Sequence, residues 1–351
     1  MPTVHIHYFT GTGNTARAVE ILRQRFQENG YDCLTVRVAQ GVSSPEGNPD
    51  LHLVAFPVLS WAAPVMMRRY LRRLPVKKGE NVAVLAINGA TSYKGRLVDG
   101  YTGQALEQVE ALLRRKGMHV LHTGNASYPE NWTQMTNPCD TPTQALLLAK
   151  GDAAVETFGK NVLEGNHSLY RCGIGNILWS WCIGMLFGGI GRRVLGTFFI
   201  ADERCTGCSL CAQTCPAKTI VMEHQRPRWK TRCEDCNRCI NLCPERAIQV
   251  SMPLLCLQLT LHLALTVGAI VGALDLSKTF FGGTPWLHTF AAIAFIGGGI
   301  FLAVWLTLVP LARFLELLQR IPGLRRWFSK SLTRNFRRYL APGFKPWERK
   351  G

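Results

Sequence analysis

Two cysteine runs, CTGCSLCAQTCP and CEDCNRCINLCP, carry the most specific chemistry in the 351-residue chain. Cys205, Cys208, Cys211 and Cys215 recur 28 residues later as Cys233, Cys236, Cys239 and Cys243, each run closed by a proline, Pro216 or Pro244. Lys218/Arg246 and Ile220/Ile248 repeat with them, which marks an internal duplication. The C-x2-C-x2-C-x3-C-P spacing is that of paired [4Fe–4S] clusters: three close cysteines hold three corners of one cubane and the fourth ligates the other. One cluster then takes Cys205, Cys208, Cys211 and Cys243, and the other Cys233, Cys236, Cys239 and Cys215. Zinc is the alternative, but zinc sites usually come as separated cysteine pairs without a third cysteine at this interval.

The second chemical stretch is HYFTGTGNTARAVEIL, an apolar strand running through a glycine turn into a helical repeat. Such a turn holds phosphate, because free backbone N–H groups and the helix dipole both face it. Gly11, Gly13 and Ala16 fit the dinucleotide template, yet the second strand, DCLTVRVAQ, offers Arg37 where a ribose-binding carboxylate is expected. That leaves an NADP reading open. Thr10, Thr12 and Thr15 instead crowd three hydroxyls around Gly11, Gly13 and Asn14, which suits the dianionic terminal phosphate of FMN without a lysine or Mg²⁺. FMN also needs an apolar clamp beyond neighbouring strands. FPVLSWAAP supplies Pro57, Ser60 and Trp61, and NGATSYKG supplies Asn88, Gly89 and Tyr93.

These turns must be positioned by a sheet. Through about residue 165 the chain alternates strand and helix signals, which predicts βαβ units and a doubly wound α/β parallel sheet. Strands are expected at Val4–Phe9, Cys33–Val38, Leu51–Phe56, Val82–Ile87 and Met118–His122, and helices near 14–29, 62–74, 99–116 and 141–164. Ala16, Val19, Leu22 and Phe26 line one face of the first helix. All three turns fall at the carboxyl ends of strands, where open parallel sheets bind ligands.

The Thr10–Thr15 loop and the Trp61 loop resemble the flavodoxin family, which implies that the second and third loops sandwich an isoalloxazine. From residue 3 to about 250, cysteine runs included, the chain resembles the flavodoxin–ferredoxin fusion ("ferrodoxin") family. YPENW, Tyr128 to Trp132, is similar to a segment of those fusions. The resemblance implies an FMN domain exchanging electrons with two low-potential clusters in a small α+β ferredoxin domain. The expected organisation is a flavodoxin-like domain over 1–165, a linker over 166–200, the ferredoxin domain over 201–252, a membrane hairpin over 253–312 and a basic amphipathic tail over 313–351.

The hairpin rests on composition. Leu254–Leu274 lacks charge and is long enough for a hydrocarbon core of about 30 Å, and Trp286–Val309 is similar. Both flanks are basic and the joining stretch is nearly neutral, which puts both ends in the cytoplasm of a cytoplasmic-membrane protein. From Arg313 onward, eleven Lys/Arg against Glu316 and Glu348 give +9 of the chain's +17. Such a tail suits anionic lipid. Residues 173–191 are expected as an interfacial or docked segment, since a third crossing would separate the clusters from the flavin. His262 and His288 sit at different depths in the spans, which argues against one haem iron between them. A polar contact within the helix pair, or a quinone at His262, fits better.

Met1 leads almost at once into a strand, so no signal peptide is expected and clustered cysteines read as ligands in a reducing compartment. The other cysteines, Cys33, Cys139, Cys172, Cys182 and Cys256, read as packing residues. No nucleic-acid motif accompanies the basic charge, so none is expected as a partner. Arg68, Arg69, Arg72, Arg73, Lys77 and Lys78 follow the clamp loop and suit an acidic ferredoxin or reductase, or lipid headgroups. The expected function is electron relay, to or from a redox protein, a membrane reductase or a quinone. An FMN-dependent reductase with its own small substrate and a redox sensor are the alternatives, and no residue is assigned as an acid–base catalyst.

Overall fold

Leu53, Val54, Ala55 and Phe56 are all fully buried, as befits a central parallel strand covered on both faces. The computed structural model describes residues 1–186, 191–318 and 321–346; residues 187–190 of the linker and 319, 320 and 347–351 of the basic tail lie outside the described residues. The chain forms two compact units, one of Met1–Gly196, Glu203–Ile248 and Thr333–Gly351, the other of Thr197–Asp202 and Gln249–Leu332.

The first unit begins β1 (Thr3–Tyr8), α1 (Asn14–Glu28), β2 (Asp32–Arg37), β3 (Leu51–Pro57), α2 (Val65–Arg73), β4 (Asn81–Tyr93), β5 (Arg96–Asp99), α3 (Ala105–Arg115), β6 (His119–Pro129), α4 (Thr141–Leu163) and β7 (Ser168–Leu169). The sheet runs β2-β1-β3-β4-β6-β7 with parallel pairings, and β5 pairs antiparallel with β4. The first five strands of that path have the flavodoxin-like order, with its switch point beside β1. On one face Phe9, Val54, Phe56 and Val84 meet Met67 and Leu71 of α2 and Leu106 and Leu113 of α3. On the other, Val4, Ile6, Leu53 and Leu85 meet Ala18, Leu22 and Phe26 of α1 and Val155 and Phe158 of α4. Ala18, rather than Ala16, completes the buried stripe of α1.

The expected turn after Ile87 is instead strand. Gly89 and Ala90 pair with Tyr128 and Pro129, and Ala90–Tyr93 fold back on β5 through Lys94 and Gly95, both at positive φ. A two-residue loop of that conformation closes a tight hairpin. Helix α3 starts later than expected, after Gly103 at φ +55°.

After β7, α5 (Ile174–Leu186) docks by one edge: Ser180 is buried, and its carbonyl accepts from Gln104 Nε2 at 2.7 Å. Ile174, Leu178, Trp179 and Trp181 remain exposed. The short α6 (Arg192–Thr197) follows. Arg192 is buried, paired with Glu234 at 3.1 Å and donating to the Cys233 carbonyl. Then come β8 (Phe199–Ala201), α7 (Leu210–Gln213), β9 (Ile220–Glu223), β10 (Arg226–Trp229), α8 (Arg238–Leu242) and β11 (Ile248–Val250), with β9 antiparallel to β10 and β8 paired to β11.

In the second unit, α9 (Met252–Phe281) and α10 (Pro285–Leu306) are two long apolar helices and candidate membrane spans. Ser251 caps α9, its hydroxyl accepting from Leu254 N–H. A core hairpin of a soluble domain would cover its apolar side chains, yet only 11% of either apolar window is buried. A widened π-turn (Thr307–Leu311) containing Pro310 follows, then α11 (Ala312–Leu318) and α12 (Pro322–Phe328). Gln258 donates to the Thr307 carbonyl at 2.6 Å and His262 Nδ1 lies 3.2 Å from the Thr307 hydroxyl. His288 lies instead beside Ser277, so the two histidines serve separate polar contacts.

Leu53 sits at the centre of the sheet with no exposed surface. Leu53→Ala is expected to cost about 2–5 kcal/mol, read as a lower urea midpoint for loss of the first unit's far-UV signal.

Candidate functional site

A cleft of about 370 Å³ opens at the carboxyl edge of β1, β3, β4 and β6. Its phosphate-type end is the turn from Thr10 to Thr15, which feeds the N-terminus of α1. Thr10 Oγ1 accepts from Gly13 N–H at 3.1 Å and fixes the turn. Thr12 Oγ1 accepts from the Asn131 side-chain amide. Asn14 is committed at both ends, donating to the Pro129 carbonyl and accepting from the Tyr339 hydroxyl. Thr15 is 1% exposed and its Oγ1 has no hydrogen-bond partner among the described residues. A buried hydroxyl left unpaired at a helix N-terminus costs free energy that an anion would recover.

The apolar end is built from Pro57, Ser60 and Trp61 after β3, with Asn88 and Gly89 of β4. Ser60 and Trp61 hold φ of 47° and 59°, a left-handed conformation unfavourable for a bulky residue. Trp61 stacks on Tyr101, ring centroids 5.7 Å apart and planes 22° from parallel. Asn88 donates to the Gly100 carbonyl at 2.6 Å and accepts from Ser127, so β6 holds the loop that carries Tyr101.

Two expected residues lie elsewhere. Tyr93 is exposed at the far end of the β4–β5 hairpin, under the Lys94 ammonium, and does not line the cleft. Gly13 faces away from the cleft, where a Cβ would strike Phe344. The aromatic that does join Trp61, Tyr101, sits between two glycines and could have been found as a second aromatic turn.

The remaining wall comes from the second cysteine run: Asp235, Cys236 and Asn237 line the same cleft. Gly11 packs so closely on the Cys236 carbonyl that a Cβ there would collide with it. Arg238, 4% exposed, donates from Nε to the Gly11 carbonyl at 2.8 Å, from Nη1 to Thr214 at 2.7 Å and from Nη2 to Thr10. Burial lowers its pKa to about 10, so it stays charged at neutral pH. Its positive charge therefore lies behind the turn while occupying the carbonyls of Thr10 and Gly11. Burial pushes the Asp235 carboxyl far up, against a hydrogen bond from Trp132.

The cysteines fall into two sets. Cys205, Cys208, Cys211 and Cys243 line one small cavity. Burial first, then these three neighbours, raises the Cys211 thiol to about 12. In the other set, burial raises Cys236 to about 11 and holds Cys239 well above the usual thiol range, and Cys215 adds to both. Such thiols need a cation to become thiolates. Trp229 Nε1 lies 3.4 Å from Cys239 Sγ, and Asp235 N–H lies 3.3 Å from Cys233 Sγ.

The basic tail divides in a way sequence reasoning missed. Residues 333–346 pack on the first unit: Tyr339 is 2% exposed, its hydroxyl 2.6 Å from Asn14 Oδ1, and Ala341 N–H donates to the Thr12 carbonyl at 2.9 Å. Phe344 covers Gly13 and carries the Arg37 guanidinium 4.8 Å above its ring. Arg37 therefore serves the tail.

No protein-family model matches the sequence, and no curated protein matches it. Among solved structures, 47% of the chain is similar to 99% of a short-chain flavodoxin associated with a non-canonical PDU bacterial microcompartment, at 12% identity and a TM-score of 0.31. It is similar over 46% of its length to 98% of a Streptococcus pneumoniae flavodoxin, at 13% identity and 0.30. It is also similar over 46% of its length to 36% of the Flv1 flavodiiron core from Synechocystis, at 14% identity and 0.32.

Arg238→Gln removes a buried cation that holds three carbonyls. Amide hydrogen exchange of residues 10–15 is expected to rise at least tenfold, while that of β3 stays at its wild-type rate.

Proposed function

We propose that the chain is a membrane-anchored electron-transfer protein, holding FMN in the cleft and one [4Fe–4S] cluster on each set of four cysteines. FMN exchanges electrons singly or in pairs and the clusters singly, so the combination links a two-electron partner to a one-electron partner. The observation that carries the reading is the shared wall: Cys236 belongs both to the cleft and to the second cysteine run.

The residues divide the work. Thr10, Thr12 and Thr15 with the N-terminus of α1 receive the phosphate, and Trp61 and Tyr101 supply the flat apolar end. Cys215, Cys233, Cys236 and Cys239 form the set beside the flavin, and Cys205, Cys208, Cys211 and Cys243 the set beyond it. Cys208 is exposed whereas Cys233 and Cys239 are buried, which gives the outer set the contact with a partner. Arg69, Arg72, Arg73, Lys77 and Lys78 are exposed on and after α2 and suit an acidic redox protein. The apolar helices anchor the chain, with redox centres and basic tail on the cytoplasmic side.

The deciding experiment is an anaerobic redox titration of detergent-solubilised protein, followed by flavin absorbance and EPR. Bound FMN and two cubane signals are expected; clusters without flavin after adding FMN would refute the cleft assignment. Two variants sharpen it. Thr15→Val is expected to weaken FMN binding about tenfold, the equivalent of about 1.4 kcal/mol, by isothermal titration. Cys236→Ser is expected to lose the EPR signal of the flavin-proximal cluster and keep that of the outer one.

A further inference from the structure

Three histidines interrupt the apolar sheet face that α2 covers. His5 and His7 on β1 and His52 on the adjacent β3 are all buried, on a face otherwise made by residues such as Phe9, Val54 and Phe56. Each offers a ring nitrogen, and the three atoms lie within 4.8 Å of one another. His7 Nε2 and His52 Nδ1 are 3.0 Å apart. Their other ring nitrogens are each held: His7 Nδ1 lies 2.8 Å from the Tyr70 hydroxyl, and His52 Nε2 lies 3.2 Å from the Glu80 carboxylate. Imidazoles that bind a metal show this pattern, with one nitrogen on the ion and the other fixed by a carboxylate or similar group.

We propose that His5, His7 and His52 form a binding site for a divalent ion of the zinc type, separate from the cysteine centres. The donor set is three neutral nitrogens without sulfur, which suits zinc and its neighbours better than magnesium or calcium. Binding replaces the hydrogen bond between His7 and His52 with two bonds to the ion: the proton held between the rings shifts to the outer nitrogen of its own ring, facing Tyr70 or Glu80, and both imidazoles bind neutral. Zinc–nitrogen bonds of about 2.0–2.1 Å place tetrahedral ligand nitrogens about 3.4 Å apart. The pair therefore opens by a few tenths of an ångström, and each ring tilts so that its lone pair meets the ion. Glu80 brings a negative charge to the site and immediately precedes β4, at the amino edge of the sheet. The flavin cleft lies at the carboxyl edge. A bound ion would tie β1 to β3 and, through Tyr70 and Glu80, to α2 and the entry to β4.

The test uses the full-length holoprotein with its cysteine centres loaded, incubated with Zn²⁺, desalted and assayed for metal. The expected result is one zinc per chain with a nitrogen/oxygen coordination shell by X-ray absorption and a zinc-dependent rise in melting temperature. His52→Gln and His5→Gln should abolish both, with iron content unchanged, and Glu80→Gln should weaken binding about 10–100-fold. His5→Gln spares the hydrogen-bonded run from Tyr70 to Glu80, so it decides the matter even if His52→Gln fails to fold. Zinc retained undiminished by His5→Gln, sulfur in its shell, or no uptake by the wild type would overturn the proposal.

Discussion

One buried guanidinium governs the architecture of the cleft. Arg238 reaches from the second cysteine run to the carbonyls of Thr10 and Gly11 and to that of Thr214. A carbonyl engaged behind the turn cannot repel an anion in front of it, so the hydrogen bonds that join the segments also prepare the phosphate end. The charge is costly to bury, and it is tolerated because several strong acceptors surround it. The second arginine of this kind, Arg192, meets Glu234 and the Cys233 carbonyl. Both bind backbone within or beside cysteine motifs, where a small shift would alter how the thiols face one another.

Contact between Gly11 and the Cys236 carbonyl follows from the same close fit. Glycine is required there because another backbone approaches it, a reason different from the one its place in a nucleotide template suggests. Two flat aromatic rings and a strained Ser60–Trp61 pair complete the cleft on its far side. The strain persists because the loop is held at two points, Val58 N–H donating to the Ile87 carbonyl at 2.8 Å and the Trp61 carbonyl accepting from Gln104 N–H at 3.1 Å.

Much of the parallel sheet was legible because apolar periodicity is local. The strand and helix signals place β1, α1, β3 and α4 within a few residues, and the hydroxyl turn identifies itself by composition. Duplication exposes the cysteine spacing for another reason, its repetition 28 residues later, and Cys205, Cys208, Cys211 and Cys243, expected together from it, do line one cavity. Tyr93 was misplaced because Lys94-Gly95 reads as a generic loop, and nothing local says that Ala90 to Tyr93 will find partners on both sides. Arg238 occupies a position between two cysteines in CNRC, where nothing local marks it. Its acceptors are 227 and 228 residues away, beyond the reach of any pattern within one segment. Tyr339 and Phe344 were read as part of a basic amphipathic tail, since their partners Asn14 and Gly13 lie at the other end of the chain.

That last pairing sets an order for biogenesis. The turn that begins near residue 10 is completed by a hydroxyl near residue 339 and an N–H at residue 341. Synthesis delivers the sheet first, the cysteine runs next, both apolar helices after them, and the closing strand of chain last. A nascent protein arrested before residues 333–346 emerge therefore owns the side chains that line the cleft but lacks the strap behind them. The bracing of a turn near residue 10 therefore waits until both apolar helices have been made.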